Sequence, residues 1–156
     1  MKMRMKQRFL TWFDSYDIYD EDGQVCFTVK GELAWGHQLR IYDAAGCPVG
    51  MVKQRVLVFL PRFDLYEDDV KTGEVCRELS LFVPRYSLDW GWTVSGDFFG
   101  WDYSITKEDG QEVARLSNVL WQWTDTYEMD VADPADALHV LMVALSIDAA
   151  NCSDGR

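Results

Sequence analysis

The chain offers few side chains able to bind a metal or act as a base or nucleophile, and they lie far apart in the sequence. His37 and His139 are the only histidines, whereas a structural zinc site uses four cysteine or histidine ligands and a catalytic one about three protein ligands. His139 lies in an apolar segment, where a core histidine with one hydrogen bond is expected. His37 follows a Trp-Gly pair and is expected in a loop or at a strand edge. The histidines therefore predict no metal site.

The four cysteines are also isolated from one another, at positions 26, 47, 76 and 152, with no C-x-x-C pair. No apolar run long enough for a secretion signal follows the N-terminus. Reduced thiols in a cytoplasmic protein are therefore expected. Cys26 and Cys76 lie in strand-like segments and are expected to be buried, whereas Cys47, beside Pro48, is the more exposed thiol.

Acidic residues are abundant but show no catalytic or metal-binding spacing. The run Glu67-Asp68-Asp69 lacks the alternating ligands and the distant glutamate of a calcium loop, so it is interpreted as a solvated hairpin tip. No G-x-S-x-G, H-E-x-x-H, phosphate-binding glycine loop or dinucleotide fingerprint is present. The sequence therefore predicts no catalytic residue, no cofactor and no metal.

Charge is distributed unevenly along the chain. The formal net charge is −11, and the acidic excess lies after residue 62. Such a surface repels phosphate backbones, which argues against nucleic acid as a partner. The N-terminus is locally basic and alternates with methionines, which is typical of a strand with one inward face and edge-protecting charges. The alternative is a membrane-surface contact worth about 1 kcal/mol per cation, made by Lys2, Arg4, Lys6 and Arg8.

Hairpin patterns recur along the chain and predict the strands that carry the polar and charged side chains described above. Each consists of an alternating strand, a short turn that ends in glycine, and a second strand, as in 16–29, 39–52 and 103–116. Glycine fits the end of such a turn because it adopts positive φ without steric cost. A slightly longer version spans 63–76, with its turn expected to end at Gly73.

A larger repeat relates the two halves of the chain, with equivalent residues about 64 positions apart. Residues 27–32 match 92–97, residues 39–49 match 103–113, and residues 63–65 match 127–129. Duplicated antiparallel strands suit a closed barrel, which removes exposed strand edges. The patterns predict about twelve strands, in one domain over residues 1–156 with its core at about 5–150.

One apolar helix is predicted at 133–148. Asp133 followed by Pro134 is a helix-start signal, and the segment is apolar nearly all round, unlike a surface helix. Its length of about 16 residues falls short of the roughly 20 that a membrane span needs, so no transmembrane span is expected. A barrel of about twelve strands has room for a helix roughly 10 Å across. We therefore predict that this helix fills the barrel.

The order of these elements resembles the LURP-one-related proteins, which share the tubby C-terminal-like fold with phospholipid scramblases. The resemblance rests on residues 16–23, 29–31, 39–46 and 94–96 and on the ending 133–148. It implies a twelve-stranded antiparallel barrel around a central hydrophobic helix. Tubby proteins hold phosphoinositide head groups with basic residues, but no such motif is present here. The proline-rich region and palmitoylated cysteines of the scramblases are also absent.

A complete fold signature without a catalytic constellation favours a non-enzymatic binding or scaffolding barrel. The expected partner is a protein or a small apolar ligand. Peripheral binding to a phospholipid surface, by analogy with tubby proteins and scramblases, is the alternative. An unrecognised enzyme is the third hypothesis, because a shared fold does not fix activity.

Overall fold

A computed structural model describes residues 1–7, 15–121 and 124–154. Its twelve antiparallel strands close into a barrel, in which each strand pairs with its neighbours in sequence and the first strand pairs with the twelfth. The predicted fold class, a closed antiparallel barrel with a C-terminal helix, is confirmed. The strands are β1 (Lys2–Gln7), β2 (Ser15–Tyr19), β3 (Val25–Gly31), β4 (Gln38–Asp43), β5 (Pro48–Gln54), β6 (Arg62–Glu67), β7 (Val70–Arg77), β8 (Arg85–Leu88), β9 (Thr93–Asp97), β10 (Asp102–Thr106), β11 (Glu112–Trp121) and β12 (Thr124–Val131).

The internal repeat corresponds to the two halves of the barrel. The matched segments fall on β3 and β9, on β4 and β10, and on β6 and β12, so equivalent strands lie six positions apart. Each half therefore contributes six consecutive strands to a single closed sheet.

Alternation along the strands separates the barrel interior from its outer face. In β6, Phe63 and Leu65 are fully buried while Asp64 lies on the outer side, as the two-residue strand period requires. Met3 and Met5 are likewise buried in β1. The prediction that β1 is an edge strand is wrong, however, because β1 pairs with β2 on one side and with β12 on the other.

The helix begins where the sequence indicates. Asp133 is the cap, and its Oδ1 accepts a hydrogen bond from Ala135 N at 3.0 Å. A single 3₁₀ turn, Pro134–Asp136, leads into α1 (Ala137–Asp154). Residues 140–147 are each fully buried, so the helix has no solvent-facing side over two turns.

The helix continues six residues beyond its predicted end at Asp148. That carboxylate is not a stop signal, because its Oδ2 accepts a hydrogen bond of 2.6 Å from Tyr16 Oη on β2. Ala149 and Ala150 after it are buried against the barrel wall. A partner 132 positions away in the sequence thus allows an acidic residue inside an otherwise apolar helix.

The additional turns remove the length argument against a membrane span. Residues 134–153 form a helical segment that is long and apolar enough to cross a bilayer by length and composition alone. Core helices pass the same test, and most of this segment is buried inside the barrel. The absence of a transmembrane span therefore stays a prediction. It is supported by the burial of the helix inside the barrel and no longer by the length of the helix.

Two glycines allow close packing around the helix and the hairpin of β6 and β7. A Cβ on Gly50 of β5 would lie 2.5 Å from Met142 Cε of α1, so the absent side chain makes room for the helix. Gly73 does not end a turn as predicted. The β6–β7 turn is formed by Asp68 and Asp69, both at positive φ, and Gly73 is buried in β7 beneath the ring of Trp90.

The two ends of the barrel differ in their connections. We call one the turn end, formed by the short connections 20–24, 44–47, 68–69, 89–92 and 107–111. We call the other the loop end, formed by the connections 32–37, 55–61, 78–84 and 98–101. Helix α1 enters at the turn end and finishes at the loop end, where Asn151 Nδ2 donates to Phe98 O at 2.8 Å.

Candidate functional site

The turn end is compact, polar and acidic. Asp20 and Asp43 build equivalent turns, because the Oδ1 of each accepts hydrogen bonds from backbone N–H groups two and four residues later. The five turns together carry eight acidic residues and one basic residue. These carboxylates are occupied by turn formation or exposed to solvent, so the turn end is a solvated acidic surface.

The loop end exposes large apolar side chains on four adjacent connections. Within the described residues, eleven of the thirteen exposed large hydrophobic side chains lie there, and the two exceptions are Val25 and Val70. Trp35, Phe59 and Phe82 are 89–92% exposed. Large apolar side chains gathered at one end of a protein make that end a candidate for contact with a partner, because isolated proteins rarely leave a large apolar area uncovered. The other members are Leu33, Val56, Leu57, Val58, Leu79, Leu81, Val83 and Phe99.

Backbone hydrogen bonds join the loops into one rim. Gln54 N donates to His37 O at 2.8 Å, which ties the first loop to the second. Arg77 N donates to Pro61 O at 3.0 Å, which ties the second loop to the base of the third. The exposed side chains are therefore presented by connected hairpin extensions of the barrel wall.

The second and third loops share a short motif, Phe-x-Pro-Arg. It occurs as Phe59 to Arg62 and again as Phe82 to Arg85. In both copies the phenylalanine is at least 91% exposed, and the arginine is an exposed first residue of the following strand. Each loop thus places an apolar tip beside a cation at its base.

Leu57, at the tip of the second loop, has an unusual backbone conformation. Its φ is 60°, in the left-handed region, and its side chain is fully exposed. A leucine at such a φ costs on the order of 1 kcal/mol that glycine or asparagine would largely avoid. Folding stability thus gives no reason for a leucine at this position.

An ion-pair network anchors the base of the second loop. Arg55 and Lys71 both bind Asp64 and Glu74 on the outer wall. Burial raises the pKa of Asp64, but hydrogen bonds from Arg55 and Lys71 outweigh it and leave that pKa below its ordinary value. A hydrogen bond from Lys71 lowers the pKa of Glu74. Two cations thus face two ionised carboxylates, and the network adds no net charge to the loop end.

Two shallow cavities open between the loops. One, of about 450 Å³, is bordered by Ala34, Trp35 and the segment 53–56. The other, of about 310 Å³, is bordered by residues 58–62 with Cys76 and Arg77. Both contain apolar and cationic groups together. Helix α1 occupies the barrel interior, where residues 140–147 are fully buried.

The basic residues predicted for membrane contact lie along β1 instead of at the loop end. Lys2 and Arg4 pair with Glu128 of β12, each at 3.3 Å. Lys6 Nζ lies 5.7 Å from the ring centroid of Tyr19, and Arg8 is outside the described residues. The three described basic residues therefore lie at intervals along the barrel wall, and their contact with a membrane stays a prediction.

The histidines do not form a metal site. His139 is half-buried at the start of α1, 5.0 Å from the ring of Trp90, with its Nε2 3.1 Å from Glu67 Oε1. That is ion-pair distance, although the two atoms are not aligned for a hydrogen bond. The prediction of a buried histidine with a satisfied hydrogen bond is therefore wrong. His139 is partly exposed and packs against an aromatic ring. His37 lies in a loop as predicted. No cluster of three candidate ligands occurs among the described residues.

A tyrosine and a carboxylate lie close together inside the barrel, near the loop end of α1. Burial raises the pKa of Tyr103 well above its ordinary value, and the charge of Asp148 adds to this effect. Tyr103 is therefore neutral at physiological pH. Its ring packs between Phe98 and Trp101, at centroid distances of 5.3 and 5.8 Å, which makes it part of the support beneath the fourth loop.

Comparison with known proteins fits this architecture. The family model described as LURP-one-related matches residues 1–148. The chain belongs to the LURP-one-related family. The uncharacterised protein YxjI of Bacillus subtilis (strain 168) is 26% identical over 151 residues, which are 95% of this chain and 92% of YxjI. An X-ray structure of a protein from Arabidopsis thaliana has the same fold, with a TM-score of 0.61 and 15% identity over 94% of this chain and 91% of that one.

The exposed apolar loops of the loop end were not identified from the sequence, although the sequence contains a signal for them. Residues 56–60 and 79–83 are nearly continuous apolar runs, which resemble buried strands. The repeated Phe-x-Pro-Arg motif places proline directly before a strand in both cases, which indicates a loop. Reading the two copies together would have placed these apolar runs between strands, in connections.

Proposed function

We propose that this LURP-one-related protein is a non-enzymatic binding barrel whose binding surface is the loop end. The observation that carries the proposal is the concentration of exposed large apolar side chains on four loops at one end of the barrel, three of them joined by backbone hydrogen bonds. Such a surface gains free energy when a partner covers it, at about 25 cal/mol per Å² of apolar area removed from water. A buried interior site is disfavoured because α1 fills the barrel.

The chemistry at the loop end supports binding more than catalysis. Most side chains of the four connections are apolar, with two carboxylates, Glu32 and Glu78, and the carboxylates of the Arg55 network are paired with cations. An exposed aromatic and aliphatic surface with basic residues at its base can bind a partner.

Photo-crosslinking in the native cells tests where the protein is contacted. Phe59 and Phe82, on separate loops, are replaced one at a time by the photoreactive analogue p-benzoylphenylalanine. Val70, exposed at the turn end, is replaced in the same way as the matched control. We expect abundant adducts, with lipid or protein, from both loop positions and few from position 70. Adducts that form equally at position 70, or none at the loop end, would contradict the proposal.

A further inference from the structure

We infer that the partner of the loop end is a lipid bilayer with anionic headgroups. In this orientation the loop end contacts the membrane, and the barrel axis makes a steep angle with the membrane plane. This inference rests on the proposed binding function and specifies its occupant. It follows from the shape of the apolar surface, from the cations at its base and from the charge difference between the two ends of the barrel.

The apolar side chains are displayed at the tips of separate loops. Leu57 with Phe59, and Leu81 with Phe82, lie on neighbouring hairpin extensions, and all four are nearly or fully exposed. Protein partners are usually bound by a packed central patch with a polar rim. Spaced apolar tips suit insertion into a fluid phase, which needs no shape complementarity. Trp35 on the first loop adds the ring type that is enriched at membrane interfaces.

The cations lie where lipid headgroups would be once the tips are inserted. In the Phe-x-Pro-Arg motifs the arginine follows the exposed phenylalanine by three residues and begins the next strand. Across the loop end, the last two residues of the adjoining strands provide five basic and two acidic side chains. The basic ones are Lys30, Lys53, Arg62, Arg77 and Arg85, and the connections themselves add one further basic residue, Arg55, and two acidic ones, Glu32 and Glu78.

The acidic turn end does not oppose this orientation. Strands of six or seven residues are roughly 20 Å long at about 3.3 Å per residue, and their tilt of about 40° in a barrel leaves the two ends about 15 Å apart along the axis. The Debye length at physiological salt is only about 8 Å, so the carboxylates of the turn end are screened from the bilayer. Their repulsion acts mainly on the opposite orientation, which makes the charge difference a means of directing the loop end toward the membrane.

The test is co-flotation of the whole protein with vesicles of phosphatidylcholine containing about 30% phosphatidylglycerol, compared with pure phosphatidylcholine. We expect the wild type to float with the anionic vesicles and much less with the neutral ones. The triple variant Leu57→Asn, Phe59→Ser and Phe82→Ser should lose roughly tenfold or more in affinity for each inserted side chain that is removed. Asparagine at position 57 tolerates the positive φ, so the variant keeps its fold.

Two further variants separate the contributions. The double variant Arg62→Gln and Arg85→Gln should bind anionic vesicles about fivefold more weakly for each cation removed. Val70→Ser, an equally simple truncation at the turn end, should bind like the wild type. Circular dichroism and thermal unfolding verify that each variant is folded.

Several outcomes would overturn the membrane assignment. One is a wild-type protein that floats with neither the anionic nor the neutral vesicles. Another is a triple variant that floats with anionic vesicles as well as the wild type does. A third is a wild-type dimer in sedimentation that the triple variant converts to monomer without any vesicle binding, since a second copy would then cover the loops. Protein adducts from positions 59 and 82 in the crosslinking experiment would still support the binding surface itself.

Discussion

Leu141→Asp is expected to abolish the folded state. Leu141 is fully buried in the middle of α1, surrounded by the barrel wall. The substitution removes its apolar contacts and places a carboxylate where no cation is available among the neighbouring core residues. The combined cost is about 5 kcal/mol or more, comparable to the whole stability of a domain of this kind. Near-ultraviolet circular dichroism and urea unfolding measure the result, and the expectation is an unfolded or aggregated chain.

The matched control is the same substitution at an exposed leucine, Leu57→Asp. Leu57 lies at a loop tip, and its positive φ is better tolerated by aspartate than by leucine. We expect wild-type or slightly higher stability for this variant. A Leu141→Asp protein with native near-ultraviolet dichroism and cooperative unfolding would mean that α1 does not fill the barrel.

Gly50→Val is expected to destabilise the protein by about 1–3 kcal/mol, the range for overpacked cores. The nearest atom to the new Cβ is Met142 Cε at 2.5 Å, followed by Tyr66 O at 3.3 Å. Because Met142 is flexible, part of the conflict can be relieved by a change of its rotamer. Valine also favours strands, so the loss comes from these contacts and not from strand propensity. Urea unfolding of the two proteins measures it.

A double-mutant cycle identifies the helix as the cause. In a Met142→Ala background the closest contact is removed while Tyr66 O and Leu138 Cδ1 remain, so Gly50→Val should cost at least about 0.5 kcal/mol less than it does in the wild type. Gly23→Ala is the control, because its cost comes from a φ of 76° with no atom within 4 Å. Its effect should be the same in both backgrounds. Equal costs of Gly50→Val in the two backgrounds would place α1 elsewhere.

Much of the barrel could be predicted from the sequence because its determinants are local. Alternation fixes which side chains face inward, and Asp43 with Gly46 specifies a tight turn through an Asx hydrogen bond and a positive φ. The helix start was equally local, because Asp133 caps its own first turn. The helix end was not, since Asp148 is held by Tyr16 from a distant strand. Gly73 was misassigned for a similar reason, because the Trp90 ring that covers it comes from another hairpin.

The proposed binding surface was harder to predict because exposure is a property of the whole fold. An apolar run such as residues 56–60 has the composition of a buried strand, and only the closed barrel shows that it projects beyond the sheet. The basic residues of β1 were the more visible candidates in the sequence. In the barrel Lys2 and Arg4 form ion pairs with Glu128. The described basic residues of β1 are therefore distributed along the barrel wall and do not cluster at the loop end.

Hydrogen–deuterium exchange of the unmodified protein, with and without anionic vesicles, tests the central claim most directly. Amides protected by contact with a bilayer exchange more slowly, and mass spectrometry locates them along the chain. Slower exchange is predicted in the loop-end connections 32–37, 55–61 and 78–84, with unchanged exchange in the turns 20–24, 44–47 and 107–111. Protection confined to the turns or to the outer face of β1, or no protection anywhere at vesicle concentrations that saturate flotation, would contradict the account.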